Sequence, residues 1–235
     1  MQNIDVKVSP GLDRGRIQTQ IAAGGIIPVV RAANVDEALR AVEAIFAGGI
    51  SVMEVTMTVP GAINVIRKVV QEYGDKILTG AGTVLTAQQA EECMDAGAQF
   101  LVSPGLSAAV LSAAKARSIL AIPGVLTPTE VMSALQEGST LMKVFPCGSV
   151  GGAKYLKALR GPFPQISMIP TGGVNAANAG EYIQAGALAL GIGGELVDTA
   201  AIRGGNAQKV TAAARDLVLA VETARRQMSS ANNPR

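Results

Sequence analysis

The chain has 235 residues, of which 49% are hydrophobic and 16% are charged, a composition that supplies a substantial core and argues against disorder. Its 20 basic and 18 acidic residues nearly cancel, and no basic stripe with interleaved aromatic residues suggests a nucleic-acid partner. No apolar run approaches the ~20 residues that cross a bilayer, and the N-terminus lacks a signal-peptide layout, so we expect a cytoplasmic protein with no membrane partner.

Taken in chain order, the sequence opens with a polar segment and then alternates between apolar and amphipathic segments. Residues 1–12 predict a flexible arm, residues 13–228 a single domain that begins with a helix over 13–23, and residues 229–235 a polar tail. The predicted strands span 26–31, 51–57, 77–82, 100–104, 120–125, 141–146, 167–171 and 188–192. The predicted helices between and after them span 35–47, 60–73, 86–96, 107–117, 128–137, 152–159, 175–185 and 206–227.

Eight strand–helix units within about 200 residues are typical of one (β/α)8 TIM barrel with, in this chain, a leading N-terminal helix. The predicted strands are continuous apolar runs, as expected for a parallel sheet that is covered on both faces. A doubly wound open sheet is the alternative. The number of units and the lack of a Gly-x-Gly-x-x-Gly turn after the first strand favour the barrel.

The sequence contains no histidine, and its two cysteines, Cys93 and Cys147, are isolated from each other. This excludes catalysis by Ser-His-Asp or Cys-His groups and nearly every metal site built on imidazole. We therefore expect neither a metal nor a cofactor, and we interpret Cys147 as a small packing residue. Any chemistry must use the remaining polar side chains or backbone amides.

The sixth predicted strand, residues 141–146, carries a single lysine within an apolar run. Because side chains alternate along a strand, Leu141, Lys143 and Phe145 share one face. A lysine is seldom buried without a partner or a function, and burial favours the neutral amine that can attack a carbonyl group. The alternative is a lysine whose stem packs while its ammonium group reaches water.

Two further charged residues belong to the strands whose carboxyl ends would form the active site of a barrel. Glu54 is a lone carboxylate in the second strand, where it could face Lys143 and transfer protons. Arg31 ends the first strand, and its planar fork suits a substrate carboxylate. The alternative for Glu54 is a structural salt bridge with Lys143 or Arg31.

Glycines crowd the ends of the last two strands, directly before predicted helices. Thr171, Gly172 and Gly173 end the seventh strand, and Gly193 and Gly194 follow the eighth. Backbone N–H groups and helix N-termini at these positions suit a phosphate, although tight turns alone would also explain the glycines. A lysine, a carboxylate and a phosphate site, without histidine, suggest that Lys143 forms an imine with a keto acid.

Six segments at these strand ends resemble the family of 2-dehydro-3-deoxy-6-phosphogluconate aldolase, which also cleaves 4-hydroxy-2-oxoglutarate. The resemblance covers residues 14–225 in one collinear order. The segments are Glu-Val-Thr at 54–56, Gly-Ala-Gly-Thr-Val at 80–84, Val-Ser-Pro-Gly at 102–105, Ile-Pro-Gly-Val at 122–125, Lys-Val-Phe-Pro at 143–146 and Pro-Thr-Gly-Gly-Val at 170–174.

This resemblance implies a class I aldolase of the Entner-Doudoroff pathway, a homotrimer of (β/α)8 barrels that forms pyruvate and glyceraldehyde 3-phosphate. It further implies that Lys143 is the Schiff-base lysine and that Glu54 is the general acid and base. The other implied positions are Thr83, Pro104 and Phe145 as walls of the pyruvate pocket, and Gly172, Gly173 and Gly193 as the phosphate site.

The sequence departs from the family pattern at two positions. Thr58 stands where many members carry the arginine that holds the pyruvate carboxylate, and Arg31 resembles the arginine that some members use instead. Gly194 stands where many relatives have a serine that contacts the phosphate, which removes one hydrogen bond and weakens the expected preference for phosphate.

Two other functions compete with the aldolase hypothesis. One is a phosphosugar isomerase or lyase on the same fold, in which Lys143 acts without forming an imine. The other is an assembly or scaffold protein that keeps the barrel and loses the metabolic activity.

Overall fold

The computed structural model describes residues 14–231, so the predicted arm over residues 1–12 lies outside the described part of the chain. The strands are β1 (Ile26–Val30), β2 (Val52–Thr56), β3 (Leu78–Gly82), β4 (Phe100–Val102), β5 (Leu120–Ile122), β6 (Gly124–Val125), β7 (Leu141–Val144), β8 (Ser167–Pro170) and β9 (Leu190–Ile192). The helices are α1 (Arg14–Gly24), α2 (Val35–Ala47), α3 (Ala62–Tyr73), α4 (Ala87–Asp95), α5 (Ala108–Ala116), α6 (Pro128–Gln136), α7 (Gly152–Arg160), α8 (Ala179–Gln184), α9 (Thr199–Arg203) and α10 (Ala207–Ala231).

All strand pairs are parallel, and together the strands close into a barrel. One run of the sheet has the order β5-β4-β3-β2-β1-β9 and the other has the order β6-β7-β8. A parallel bridge between Thr171 and Gly191 joins β8 to β9. The predicted fifth strand is split into β5 and β6 at Pro123, which has no N–H to donate to a ladder. The predicted (β/α)8 barrel is confirmed, and the open sheet is excluded.

Several helices begin where a polar side chain caps the free backbone amides of the first turn. Asn34 accepts a hydrogen bond from the N–H of Glu37 at the start of α2. Thr127 and Glu130 form a reciprocal capping box at the start of α6. Hydrogen bonds from the Leu126 and Thr127 amides lower the pKa of Glu130. These helices therefore begin within a residue or two of their predicted positions.

The apolar core has two layers, which the alternation along the strands keeps apart. Met142 and Val144 of β7 belong to the larger cluster between the strands and the helices. Leu141 belongs to the smaller cluster inside the barrel, together with Ile17 and Ile21 of α1. Helix α1 packs its apolar face against the amino ends of the strands and so helps to fill the interior of the barrel at that end.

Helix α8 begins later than the sequence predicts, at Ala179 instead of residue 175. The side chain of Asn175 accepts hydrogen bonds from the N–H groups of Ala177 and Asn178, and Asn178 Oδ1 accepts one from the N–H of Asn175. Such local bonds between side chain and backbone compete with helix formation, and they hold this segment as a turn.

The segment after β9 also differs from the prediction. A short helix, α9, lies between β9 and the final helix and is capped by Asp198, whose side chain accepts from the N–H of Ala201. Helix α10 continues to Ala231, so it enters the predicted polar tail. Within residues 14–231, no helix is both long enough and apolar enough to span a membrane.

Candidate active site

A buried pair of opposite charges lies inside the carboxyl end of the barrel. Lys143 on β7 and Glu54 on β2 are 5% and 2% exposed, respectively. Lys143 Nζ lies 3.8 Å from Glu54 Oε1, which is beyond hydrogen-bond distance. Among the described residues, Glu54 Oε1 has no hydrogen-bond partner. A buried oxygen of this kind is available to a substrate hydroxyl group or a water.

The electrostatics of Glu54 reflect its position. Burial raises the pKa of the carboxyl group above its ordinary value of 4.5, while the charges of Lys143 and Arg31 act in the opposite direction. Burial is the larger of the two effects, so the carboxyl group holds its proton more strongly than an exposed glutamate does. The role of Glu54 as the general acid and base remains a prediction.

Two glycines of β3 leave space for their neighbours, Gly82 for the Glu54 carboxyl group and Gly80 for the ring of Phe100. Gly80 and Gly82 lie opposite Glu54 and Thr56 in the parallel register. A Cβ atom at Gly82 would lie 1.8 Å from Glu54 Oε1, and one at Gly80 would lie 2.4 Å from the ring of Phe100. Larger residues at these positions would collide with their neighbours, which explains physically why the third strand ends in Gly-Ala-Gly.

An open cavity of about 280 Å³ lies above Lys143 at the carboxyl end of the barrel. It brings together eight of the residues that the sequence predicts for the site, namely Arg31, Lys143, Phe145, Thr171, Gly172, Gly173, Gly193 and Gly194. Arg31 is exposed, and Lys143 Nζ lies 5.3 Å from the ring centroid of the half-buried Phe145. The cavity thus has a buried amine at its base and an arginine near its opening.

The glycine turns contribute backbone amides to the cavity wall. Gly172 and Gly173 adopt positive φ angles of 88° and 78°, which L-residues with side chains seldom adopt. No described residue accepts a hydrogen bond from the N–H groups of Gly172, Gly173, Gly193 or Gly194. These four amides are therefore free to bind an anion or a polar oxygen of a substrate.

The prediction that both glycine turns lead directly into helices is wrong. Helix α8 begins at Ala179 and α9 begins at Thr199, and the two helices have six and five residues. The local turn at Asn175 delays α8, and α9 begins at its own cap, Asp198, four residues after Gly194. Any anion in this part of the cavity would interact with the loop amides and not with the first turn of a helix.

Thr83 and Pro104, the predicted walls of the pyruvate pocket, follow β3 and β4 and are not among the residues that line the cavity. Thr83 has a positive φ of 57°. The carbonyl oxygen of Pro104 approaches Gly124 so closely that a Cβ atom there would lie 2.2 Å away. Their role as pocket walls remains a prediction.

Three residues that the sequence analysis did not single out also line the cavity: Val29, Val174 and Glu195. Glu195 directly follows the Gly193-Gly194 turn, so its proximity to those glycines was the signal that could have identified it. The two valines lie next to predicted site residues and carry no such chemical signal.

A second cavity, of about 380 Å³, lies at the opposite end of the barrel. Its lining includes Arg14 of α1, Lys115 and Glu137. It has no counterpart of the buried lysine and carboxylate, so we assign the chemistry to the carboxyl end. Within the described part of the chain, no group of three or more His, Cys, Asp or Glu side chains is arranged to hold a metal ion.

Known proteins resemble this chain over most of its length. The family model for KDPG and KHG aldolase matches residues 17–213. The KHG/KDPG aldolase of Escherichia coli (strain K12) is 39% identical over 199 residues, which cover 84% of this chain and 92% of that protein. The 2-dehydro-3-deoxy-phosphogluconate aldolase of Dickeya dadantii (strain 3937) is 38% identical over 198 residues, which cover 84% of this chain and 92% of that protein.

A solved structure shows the same similarity in three dimensions. The KDPG aldolase from Legionella pneumophila, with pyruvate captured at low pH as a covalent carbinolamine intermediate, superposes with a TM-score of 0.80 at 37% identity. The match covers 88% of this chain and 98% of that one. This chain therefore belongs to the KDPG and KHG aldolase family of class I aldolases, which are carbon–carbon lyases.

Proposed function

We propose that this protein reversibly cleaves 2-dehydro-3-deoxy-6-phosphogluconate (KDPG) to pyruvate and glyceraldehyde 3-phosphate, and 4-hydroxy-2-oxoglutarate (KHG) to pyruvate and glyoxylate, in the cytoplasm. The observation that carries the proposal is the buried Lys143 amine at the base of the cavity, 3.8 Å from an unpaired oxygen of Glu54. The relatives that cleave these two substrates, and the relative that holds pyruvate as a carbinolamine, support it.

In the proposed mechanism, the neutral amine of Lys143 adds to the C2 keto group of the substrate and forms a carbinolamine. Loss of water then gives a protonated imine, with Glu54 supplying the proton that the leaving hydroxide requires. The imine carries a positive charge next to the bond that will break, so it can accept an electron pair.

Cleavage follows from the same two side chains. The Glu54 carboxylate removes the proton from the C4 hydroxyl group, the bond between C3 and C4 breaks, and its electron pair moves into the imine to form an enamine. The aldehyde leaves, and Glu54 returns its proton to C3. Hydrolysis of the resulting imine releases pyruvate and restores the free amine of Lys143.

Binding of the substrate uses two sets of groups that line the same cavity. Arg31 pairs with the carboxylate at C1, which replaces the arginine that is missing at Thr58. The free amides of Gly172, Gly173, Gly193 and Gly194 bind the distal end of the substrate. Phe145 packs beside the imine and helps to exclude water from it.

Replacing Lys143 with Met keeps a long apolar stem and removes the amine. We expect the Lys143→Met protein to fold and to lose cleavage of both substrates. In the parent, pyruvate with borohydride should add a three-carbon unit to Lys143, which peptide mass spectrometry detects. Because no metal is expected in the mechanism, excess chelator should not change the parent's cleavage rate. Turnover by Lys143→Met would exclude the imine mechanism. A parent that neither traps pyruvate nor cleaves a keto acid would favour the scaffold alternative.

Replacing Gly82 with Ala places a methyl group where Glu54 Oε1 lies. Because the carboxylate must move, we expect kcat for cleavage to fall by roughly 10²- to 10⁴-fold, the range that general acid–base catalysis supplies. Gly180→Ala is the control, since its added Cβ would make only an ordinary contact, 3.8 Å from Ala224. Folding of both variants is checked by circular dichroism. A folded Gly82→Ala protein with an unchanged kcat would show that this position of Glu54 is not required.

In the parent protein, the charge of Arg31 pairs with the substrate carboxylate and also lowers the pKa of Glu54. Replacing Arg31 with Ala removes both effects. We expect kcat/KM for pyruvate in the condensation direction to fall about ten- to a hundredfold, because a charge-assisted pair contributes roughly 1.5–3 kcal/mol.

The same variant makes a prediction about pH. The reaction needs the Glu54 carboxylate, so activity is lost as the pH falls through a pKa that already lies above 4.5. Loss of the Arg31 charge raises this pKa further, and the acid limb of the profile should move to higher pH. Arg226→Ala is the control, because it removes an exposed arginine of α10. It should leave both the KM for pyruvate and the acid limb of the pH profile unchanged. If Arg31→Ala and the parent have the same pyruvate kinetics, a group other than Arg31 binds the pyruvate carboxylate.

We further propose that the chain forms a homotrimer, as the family resemblance implies. Large apolar side chains such as Leu85 and Met132 are more than half exposed on the single chain, and burying such surface between copies would be favourable. Light scattering coupled to size-exclusion chromatography should give three times the mass of one chain. A single-chain mass at micromolar concentration would contradict the proposal.

A further inference from the structure

Glu195 places a carboxylate on the wall of the cavity that the proposed mechanism does not use. It lies directly after Gly194, is exposed, and lines the same cavity as Lys143 and Arg31. Among the described residues, none forms an ion pair or a hydrogen bond with the Glu195 side chain. Its charge is therefore available to whatever enters the cavity.

The backbone of the turn that carries Glu195 is anchored by hydrogen bonds and by buried neighbours. The N–H groups of Leu196 and Val197 both donate to the carbonyl oxygen of Gly193, at 3.0 and 2.9 Å. The side chains of Leu196 and Val197 are buried, at 0% and 5% exposure. Asp198 then caps α9. The turn is thus fixed on both sides of Glu195, and only the side chain can change its position.

Glu195 and Lys143 line parts of the cavity that differ in exposure. Lys143, which fixes C2, is almost completely buried, whereas Glu195 and Gly194 lie in the exposed part of the cavity wall. A substrate held at C2 by Lys143 must direct its other end toward the opening, past the glycine turns. The end of the chain that becomes the aldehyde product therefore meets Glu195.

The charges of the cavity are unevenly divided between the two halves of the substrate. Arg31 and Lys143 are the cationic residues that line it, and the proposed function uses both of them at the keto-acid half. The distal half is left with neutral glycine amides and one carboxylate. A phosphate dianion would be repelled by Glu195, whereas a hydroxyl group can donate a charge-assisted hydrogen bond to it.

We propose that Glu195 is a specificity-determining residue that disfavours a 6-phosphate and favours 2-keto-3-deoxy sugar acids that end in an uncharged hydroxyl group. This inference rests on the proposed aldolase function and names the substrate class of the same site. The free amides of the glycine turns still bind a phosphate, so the phosphorylated substrate is accepted with a reduced preference.

Condensation of pyruvate with D-glyceraldehyde or with D-glyceraldehyde 3-phosphate tests this inference. The measured quantity is the ratio of kcat/KM for the phosphorylated aldehyde to that for the unphosphorylated one. Glu195→Gln keeps the shape and removes the charge, so it should raise this ratio by roughly three- to thirtyfold, and the effect should shrink as salt screens the repulsion. The KM for pyruvate should not change.

Glu137→Gln is the matched control. It neutralises an exposed carboxylate at the opposite end of the barrel, with the same change in net charge. We expect it to leave the ratio at the parent value. An equal rise in both variants would attribute the effect to net charge and overturn the role of Glu195.

Gly194→Ser tests the neighbouring position independently. An added Cβ there meets no atom within 4 Å, and the backbone φ lies outside the left-handed region, so serine fits without strain. Its hydroxyl group should raise the ratio by roughly threefold to tenfold, the range of one modest hydrogen bond. If Gly194→Ser raises the ratio and Glu195→Gln does not, the phosphate lies at the glycines and Glu195 does not determine specificity.

Arg31 offers the strongest competing explanation, because it lies close to this part of the cavity. Pro28 and Ile192 are partners in the register of β1 and β9, and Arg31 and Glu195 each lie three residues further along. If Arg31 held the phosphate, Arg31→Ala would lower the ratio and leave the KM for pyruvate unchanged. That result would overturn the proposal.

The remaining outcomes separate this inference from the aldolase proposal itself. Trapping of pyruvate on Lys143 together with an unchanged ratio in Glu195→Gln overturns only the role of Glu195. A parent enzyme that condenses neither aldehyde and traps no pyruvate overturns the aldolase function and this inference together.

Discussion

The buried pair of Lys143 and Glu54 is the interaction on which the rest of the site depends. Removing two charges from water is costly, and their mutual attraction repays this cost only when the geometry is good and the remaining polar atoms are satisfied. Here the two groups lie 3.8 Å apart, and Glu54 Oε1 has no partner among the described residues. A pair kept for stability alone would be closer and fully hydrogen-bonded, so this geometry is consistent with the proposed catalytic role of the two side chains.

The barrel around the pair keeps this arrangement in place. The glycines of β3 leave room for the carboxylate and for the ring of Phe100, and the apolar interior below them excludes water. Helix α1 adds Ile17 and Ile21 to that interior and closes the amino end. The cavity over Lys143 opens at the carboxyl end, beside the loops that follow β1, β8 and β9.

The two halves of the cavity are built from different parts of the fold. In the proposed mechanism the keto-acid half uses Lys143 and Glu54, which are buried on β7 and β2, together with the exposed Arg31. The distal half is built from loops, in which a single substitution changes charge or hydrogen bonding without disturbing the barrel. Imine chemistry common to the family can therefore be combined with different aldehyde ends, and the proposed specificity residues Gly194 and Glu195 lie in one of these loops.

The sequence by itself determined the alternation of strands and helices, the barrel and the two catalytic candidates, because a lone lysine or glutamate stands out in an apolar strand. It also determined that histidine chemistry is excluded. Only the tertiary structure decided that Gly82 makes room for Glu54, that Asn175 delays α8, and that Glu195 lines the cavity. These features depend on distances between residues from different strands and loops, and on side chains that compete for backbone amides, neither of which local periodicity records.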